Sequence, residues 1–263
     1  MIIYKNEDEI RAIWRSNQIV AKVLDELRTM IKPGVQTKKL DEYAEKRARE
    51  MGAVTAFKGY RGYPASLCTS INEEIVHGIP SSRALHEGDI ISLDFGVVCD
   101  GYYGDAAVTY PVGKVTSEAK KIIETAKEAF YKGLEQMREG RRISDISFAI
   151  QSYVESQGLS VIRSFVGHGV GFFLHEEPQV PNFGRPGRGP KIKRGMVLAI
   201  EPMIAMGDWN VEILADSWTA VTKDRSLSAH YEHTAAVTQE GTEILSLLDE
   251  KESLHYLKES RYA

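Results

Sequence analysis

The sequence carries one pattern of strands and acidic residues twice along its length. Two apolar runs typical of β-strands each follow a glycine and end at an acid six positions after it, Asp94 in the first half and Glu201 in the second. A second pair of strand-like segments, rich in small residues, begins at Asp105 and at Glu232. Repeats constrain a fold strongly, because each copy is one structural unit that packs against the other. Two halves related by a pseudo-twofold axis would bring the four acids together at the centre.

Helical patterns repeat in the same order. In the first half, residues 7–31 carry apolar positions at helical spacing, and Asn6 with Glu9 three positions later predicts a capping box at the start. A shorter helix is predicted after Gly34 and is expected to stop near Gly52.

The second half shows the same arrangement. A long helix is predicted over residues 117–138 and a short one between Gly140 and Gly158. The interval between the two glycines is 18 residues in both halves. Any α/β protein reuses such parts, but the ordered match of helix, turn, helix, strand and acid indicates a duplication.

The domain organisation follows from the repeat. Without a Pro/Gly/Ser-rich linker between the halves, we expect residues 1–263 to form one domain whose halves, about 7–113 and 114–240, share one core. The connections between paired acids are short or contain no helix, which favours antiparallel strand pairing. The predicted fold class is α+β, with two pseudo-symmetric α/β halves around a central antiparallel sheet.

Composition places the chain among ordinary globular proteins. Hydrophobic residues make up 43% and charged residues 27%, and a net charge of −4 gives no reason to expect nucleic acid or an anionic membrane as partner. No apolar run approaches the ~20 residues of a membrane span, and the first residues do not resemble a signal or transit peptide. Cys68 and Cys99 are expected to be reduced thiols, too few for a structural zinc knuckle. We therefore expect a cytoplasmic protein.

Two of the acids are predicted to lie on one face of a hairpin. Asp94 and Asp105 flank Asp100-Gly101, a strong signal for a tight turn between antiparallel strands. With that turn, Asp94 faces residue 107 and Asp105 lies one diagonal step away on the same face. Their neighbours on this face are small, which leaves room for ions and a ligand.

The four acids are best explained by bound cations. A single strand carboxylate is usually exposed, but four inward-facing carboxylates repel one another and lose hydration unless cations neutralise them. His168, in a glycine-rich segment, supplies a nitrogen ligand. One imidazole with several carboxylates and no thiolate suits Mn²⁺, Fe²⁺ or Co²⁺ at least as well as Zn²⁺. Two such ions can activate water and polarise a carbonyl.

Other catalytic motifs are not matched. His175-Glu176-Glu177-Pro178 lacks the second histidine of the HExxH zinc peptidases. Gly167, Gly169 and Gly171 miss the dinucleotide-binding spacing, and the chain contains no Gly-x-Ser-x-Gly elbow.

The five metal-binding candidates occur in the order found in a known family. From about residue 5 to 247 the chain resembles the type I methionine aminopeptidases, metallopeptidases with the pita-bread fold. The 32 residues between His168 and Glu201 leave no room for the helical insert of the type II enzymes. The segments that carry the resemblance are Gly62-Tyr63-Pro64, Ser70-Ile71-Asn72-Glu73, His77-Gly78-Ile79-Pro80, Gly88-Asp89-Ile90, Gly104-Asp105, Gly167-His168-Gly169-Val170-Gly171, His175-Glu176-Glu177-Pro178, Glu201-Pro202-Met203 and Tyr231-Glu232-His233-Thr234.

The resemblance implies a role for each ligand. Asp94 would hold one metal ion, while His168 and Glu201 would hold the other. Asp105 and Glu232 would bridge the two. The cofactors are then two divalent ions per chain, with Co, Mn, Fe, Zn and Ni all suitable, and Glu201 would also shuttle a proton.

Two histidines are implied to act on the substrate. His175 would stabilise the developing oxyanion, and His77 would contact the substrate near the scissile nitrogen. An arbitrary histidine is often a core residue. Here each precedes a proline by three residues, at matching places in the two halves.

The resemblance also implies a methionine side-chain pocket formed by Tyr60, Tyr63, Cys68 and Trp218, whose apolar, sulfur-tolerant walls suit a thioether. By themselves the tyrosines could equally be packing residues.

The chain departs from the family pattern at three positions. Phe57 stands where many members have a smaller residue, and Leu174 stands where an aromatic is common. Gly96 replaces a frequent threonine two residues after Asp94. These departures bear on the tightness of methionine selection and on the support of Asp94.

The implied function is removal of the initiator methionine from nascent chains whose second residue is small and uncharged. The expected partners are N-terminal peptides of nascent proteins and, transiently, the ribosome, with no membrane or specific nucleic acid, and the protein is expected to be a monomer. One alternative is an Xaa-Pro aminopeptidase or prolidase of the same fold, although those usually carry an extra N-terminal domain. A second is a non-catalytic pita-bread module that binds peptides, although such members lose metal ligands.

Overall fold

Two pairs of helices alternate with strands along the chain. The computed structural model describes residues 1–248; residues 249–263, the end of the predicted domain, lie outside the described residues. Within residues 1–248 the α-helices are α1 (Glu7–Met30), α2 (Thr37–Glu50), α3 (Ser117–Leu134) and α4 (Ile143–Ser156). No helix of this part of the chain has the length and apolar character needed to cross a membrane.

The helix ends follow local chemistry. The predicted capping box is confirmed, since the Asn6 side chain accepts from the Glu9 backbone N–H at 2.9 Å and the Glu9 carboxylate accepts from Asn6 N–H at 2.7 Å. The prediction that α3 continues to residue 138 is wrong. The chain leaves the helix at Leu134 in tighter turns, which carry Met137 into the core with no exposed surface.

The strands form one large sheet and two small ones. They are β1 (Val54–Thr55), β2 (Leu67–Ile71), β3 (Glu74–Val76), β4 (Ile90–Cys99), β5 (Tyr102–Pro111), β6 (Ser160–Val161), β7 (Val166–Gly169), β8 (Glu176–Pro181), β9 (Val197–Ile200), β10 (Met203–Ala205), β11 (Val211–Ile213), β12 (Ala220–Thr222), β13 (Ser228–His230), β14 (Glu232–Val237) and β15 (Thr242–Ile244). The small sheets have the orders β13-β10-β6 and β11-β12-β3.

The large sheet has the order β1-β4-β5-β14-β9-β7-β8, with β2 also pairing β4 and β15 also pairing β14. Its strand pairs are antiparallel, so the predicted α+β class with a central antiparallel sheet is confirmed. The middle of the sheet consists of β4 and β5 from the first half beside β14 and β9 from the second. The division into one domain with two internal halves stays a prediction.

The hairpin of β4 and β5 has the predicted register. Asp94 pairs with Ala107 and Gly96 pairs with Asp105. The turn residues Asp100 and Gly101 have φ of 50° and 81°. Positive φ at both central positions is the requirement of the tight hairpin turn that matches strand twist. A local signal of two residues therefore fixes which face each acid occupies.

The two faces of the sheet differ in character. On one face, Leu93 and Phe95 of β4 are fully buried in a core that includes Leu27 of α1 and Leu40 of α2. A second core packs α3 and α4 against the strands of the other half. Because side chains alternate along a strand, the residues between these apolar positions, including Asp94, point to the opposite face.

Candidate metal centre and adjoining cavity

The five predicted ligands converge where the central strands meet. Asp94 lies in β4, Asp105 in β5 and His168 in β7, while Glu232 opens β14 and Glu201 directly follows β9. All five side chains are buried. They are far apart in sequence, and the strand order β4-β5-β14-β9-β7 makes their strands neighbours.

Donor atoms lie close enough to share cations. Single ligand atoms of Asp105, His168 and Glu232 all lie within 4.8 Å of one another, and the same holds for Asp94, His230 and Glu232. The Nε2 atom of His168 is 3.4 Å from Glu201 Oε1 and 3.9 Å from Asp105 Oδ2. The geometry thus offers two adjacent sets of donors that have Glu232 in common.

The orientation of His168 suits a metal ligand. Its Nδ1 lies 2.9 Å from the carbonyl oxygen of Gly169, which can only accept, so Nδ1 carries the proton. The Nε2 lone pair then faces the acids. Burial lowers the pKa of His168 to about 4, so the ring is neutral at pH 7. A backbone carbonyl bonded to the other ring nitrogen is a common support of metal-binding histidines.

The acids cannot all be charged without a counterion. Burial raises the pKa of Asp94 to about 7, and burial together with neighbouring carboxylates raises the pKa values of Asp105, Glu201 and Glu232 well above their usual range. Within residues 1–248, Asp94 Oδ1, Asp105 Oδ1 and Glu232 Oε1 have no hydrogen-bond partner. Buried, unpaired carboxylate oxygens beside an imidazole are a donor set that fits divalent metal ions.

Metal ions are therefore expected to stabilise the protein more at high pH. The folded-state pKa of Asp94 lies above its ordinary value of 3.8, so its stabilising contribution is complete below about pH 4 and is lost as the pH rises through 7. Mn²⁺ at one fixed concentration, 100 times its Kd at pH 8, should raise the melting temperature of metal-stripped protein by about 5–10 °C at that pH. The rise, measured by thermal unfolding, should be larger at pH 8 than at pH 5. An equal rise at both pH values would contradict this account.

His175 lies beside the metal-binding candidates on a firmly held loop. Its Nδ1 is 2.8 Å from the Tyr60 hydroxyl, and its ring centroid is 4.3 Å from that of His168. The next residue, Glu176, accepts from the Phe172 backbone N–H and forms a buried ion pair with Lys5. Burial lowers the pKa of His175 to about 3, which keeps its ring neutral. The loop therefore presents a neutral imidazole to the cavity.

His77 is held by its backbone. Its φ of 62° lies in the left-handed region that non-glycine residues rarely adopt. At Gly78 a Cβ atom would come within 2.2 Å of the Thr69 carbonyl oxygen, so only glycine allows this approach to β2. The His77 ring contacts Phe165 edge-on, with centroids 5.5 Å apart, and burial lowers its pKa to about 4. Strain and packing together fix the ring at the cavity wall.

A small cavity opens beside the acids. Its volume is about 190 Å³, and for comparison an apolar cavity of about 150 Å³ accepts a benzene molecule. The space therefore suits one amino-acid side chain. The cavity walls include the four predicted pocket residues and both substrate-contacting candidates, which are Tyr60, Tyr63, Cys68, Trp218, His77 and His175. Two of the family departures, Phe57 and Leu174, also line the cavity.

The apolar end of the cavity is tightly packed. Tyr63 donates its hydroxyl to the carbonyl oxygen of Gly78 at 2.9 Å and meets Trp218 edge-on, with centroids 5.2 Å apart. Burial raises the pKa of the Cys68 thiol, so it stays neutral, and Leu174 is 2% exposed. The walls at this end are therefore uncharged and complementary to an apolar chain.

Two of the family departures explain each other. A Cβ atom at Gly96 would lie 2.7 Å from Cε1 of Phe57. The phenylalanine ring thus occupies the space that a larger residue at position 96 would need. Phe57 itself is buried and packs in one apolar cluster with Tyr63, Cys68 and Leu174. The large side chain at position 57 and the absence of a side chain at position 96 therefore depend on each other.

Several cavity residues were not predicted from the sequence. Val76, Phe165, Val166, Met203 and Arg61 line the cavity. Strand alternation offered a signal for one further residue at the site, His230, because it lies two positions before Glu232. Tyr231 belongs to neither strand, since β13 ends at His230 and β14 begins at Glu232, so the alternation is interrupted between the two residues.

The fold and the site define a class: an α+β protein with a carboxylate-rich centre for divalent metal ions beside a cavity of side-chain size. The model of metallopeptidase family M24 matches residues 11–239. The chain belongs to metallopeptidase family M24, and it uses divalent metal.

Relatives of higher identity point to one group of enzymes within this family. A protein named methionine aminopeptidase from Clostridium acetobutylicum is 53% identical over 250 residues, covering 95% of this chain and 100% of that protein. Methionine aminopeptidase 1 from Bacillus subtilis is 51% identical over 94% of this chain and 99% of its own length. The crystal structure of methionine aminopeptidase from Rickettsia prowazekii has a TM-score of 0.93 at 39% identity, covering 94% of this chain and 100% of that chain. The predicted family and pita-bread fold are confirmed.

Proline-specific enzymes share the fold alone. A prolidase from Pyrococcus furiosus has a TM-score of 0.77 at 21% identity, and the match covers 94% of this chain but 66% of that chain. Identity at this level carries no information on the reaction.

Proposed function

We propose that this protein is an aminopeptidase that removes N-terminal methionine from peptides and nascent proteins. The observation that carries the proposal is one cavity that joins five buried metal-ligand candidates to an uncharged wall containing Tyr63, Cys68 and Trp218. Relatives more than 50% identical over nearly the whole chain are named methionine aminopeptidase, which supports the same substrate here.

The ligand roles proposed for the metal centre are those that the family resemblance implies, and the two donor groups that share Glu232 support them. Asp94 would hold one ion, His168 and Glu201 would hold the other, and Asp105 and Glu232 would bridge both. The proposed cofactors are two divalent ions, drawn from Co, Mn, Fe, Zn and Ni. When bound, such ions acidify water and polarise the substrate carbonyl.

Glu201 is proposed to move the proton. Its carboxyl is buried 3.4 Å from His168 Nε2, and burial with nearby acids raises its pKa well above the usual range. A buried carboxylate beside the metal centre can act as general base and then general acid, because it lies within reach of water activated there. Glu201 would take a proton from the attacking water and pass it to the leaving amine.

His175 is proposed to stabilise the oxygen that gains negative charge. The Tyr60 hydroxyl can donate to His175 Nδ1, which leaves the proton of the neutral ring on Nε2. An N–H donor already oriented toward the substrate carbonyl oxygen binds that oxygen more strongly as it gains negative charge. It therefore stabilises the transition state more than the ground state. Tyr60 therefore sets the tautomer that His175 needs.

His77 is proposed to contact the substrate near the scissile nitrogen. It lies in the same cavity as the acids, and its ring meets those of Phe165 and Trp218 edge-on. A neutral imidazole there can hydrogen-bond the peptide and align it for attack.

The alternatives are not favoured. Assignment as an Xaa-Pro enzyme would rest on similarity of fold alone. The relatives named methionine aminopeptidase, in contrast, are more than 50% identical to this chain. A non-catalytic binding module has no need for four buried carboxylates beside a histidine. Cytoplasmic location, transient ribosome contact and a monomeric state stay predictions of the resemblance.

Substrate selection tests the proposal directly. Protein reconstituted with Mn²⁺, Fe²⁺ or Co²⁺ should release methionine from Met-Ala-Ser at least about 10²-fold faster, in kcat/KM, than from Met-Lys-Ser. A narrow space next to the methionine pocket would exclude the lysine side chain. Xaa-Pro peptides should be hydrolysed as slowly as Met-Lys-Ser. Absence of release with every metal, or a preference for Xaa-Pro, would overturn the proposal.

A further inference from the structure

A second buried histidine lies at the metal centre. His230 ends β13, two residues before Glu232, and is 1% exposed. Within residues 1–248, neither of its ring nitrogens has a hydrogen-bond partner. A neutral imidazole has one donor and one acceptor, and leaving both unsatisfied in a buried position is costly. A buried imidazole without protein partners indicates that a bound ion, water or ligand contacts its nitrogens.

The surroundings of His230 identify the kind of partner. Its Nε2 lies 3.7 Å from Glu232 Oε2 and 3.9 Å from Glu201 Oε2. These separations are too long for hydrogen bonds. They do suit two atoms bound to one ion, because ligand nitrogen and oxygen atoms each lie about 2.0–2.2 Å from a metal such as zinc. A ligand atom of Asp94 completes the group within 4.8 Å.

The other buried histidines near this strand are accounted for by protein contacts. His233, three residues later, has Nδ1 2.8 Å from Ser246 Oγ and Nε2 3.0 Å from the Tyr231 hydroxyl. His168 has Nδ1 bonded to the Gly169 carbonyl. His230 differs from both because its two nitrogens have no such partner and its Nε2 faces the acids of the centre.

We propose that His230 is a further metal ligand, binding through Nε2 the ion that Asp94 and Glu232 hold. This inference rests on the metal centre of the proposed function and adds a nitrogen donor to the side that otherwise has carboxylates alone. Each ion then has one imidazole, His168 on one side and His230 on the other. Imidazole favours Co²⁺, Ni²⁺ and Zn²⁺ over Mn²⁺, so the Asp94 side is expected to discriminate against manganese.

Nitrogen NMR of the histidine rings tests the proposal without reference to activity. Metal-stripped protein carrying ¹⁵N-labelled histidine is titrated with Zn²⁺, which is diamagnetic, and the ring signals are assigned with His230→Gln and His168→Gln. At saturation, Nε2 of both His168 and His230 should move to metal-bound positions, while the His233 signals stay unchanged. A shift confined to His168 would overturn the proposal.

Calorimetry provides a second, independent measurement. His230→Gln should weaken one class of Zn²⁺ site at least about 10-fold, whereas His86→Gln, at an exposed position, should leave both sites unchanged. Unaltered affinity in folded His230→Gln would contradict the inference. If that variant does not fold, His230→Asn replaces it in both the NMR assignment and the calorimetry. If His230 does not bind metal but the protein still hydrolyses Met-Ala-Ser, only this inference is wrong and the proposed function stands. If no metal supports hydrolysis of Met-Ala-Ser, the proposed function itself is wrong.

Discussion

Asp105→Asn is expected to lower kcat/KM for Met-Ala-Ser by at least about 10³-fold. Asp105 lies on β5 at the centre of the site, with Oδ2 3.9 Å from His168 Nε2 and Oδ1 lacking a hydrogen-bond partner among residues 1–248. A bridging role needs two anionic oxygens, and an amide supplies one neutral oxygen. Metal analysis of the purified variant should show loss of the two-ion stoichiometry together with the loss of rate.

Asp100→Asn is the matched control. It makes the same chemical change in the same hairpin, at an exposed turn position with φ of 50° that asparagine tolerates well. Its activity and metal content should equal those of the wild type. If Asp105→Asn kept two ions per chain and a rate within about 10-fold of the wild type, the bridging assignment would be wrong.

His77→Ala is expected to lower kcat by about 10²–10³-fold while both metal ions remain bound. The ring lies on the cavity wall, packed against Phe165 and Trp218, and is not among the ligand groups around the acids in the described part of the chain. Removing it takes away alignment of the peptide and leaves the carboxylates in place. Steady-state kinetics on Met-Ala-Ser and metal analysis of the same preparation measure the two effects separately.

The control for this variant is His86→Ala, which removes a histidine from an exposed position. It should change neither kcat nor metal content. Loss of metal from His77→Ala would show that His77 belongs to the metal centre, and an unchanged kcat would show that it does not act on the substrate.

Much of the site was predictable because its signals are local or repeated. The Asp100-Gly101 turn sets the register of β4 and β5, and strand alternation then places Asp94 and Asp105 on the polar face. The repeated sequence pattern pointed to the corresponding acids of the second half. The capping box at Asn6 shows the same property, since its partners lie three residues apart.

Other features were not predictable because they depend on contacts between distant segments. Position 96 is a glycine next to a phenylalanine ring from position 57, and only the packed structure brings the two within van der Waals distance. Phe165 and Met203 line the cavity although no signal in the sequence assigned either residue a role there. α3 ends at Leu134, and Met137 just beyond it is buried in the core, a tertiary contact that helix propensity does not contain.

By itself, the sequence determined the class of fold and the order of the four long helices, and it predicted the five candidate metal ligands. Tertiary structure alone decided how those residues meet, because β14 and β9 pair beside β5 although most of the second half of the chain separates β5 from β9. It also decided that His230 joins the acids while His233 is satisfied within the core. The reason is physical: alternation and turns act over a few residues, whereas burial, desolvation and shared ligands arise only when distant strands pack together.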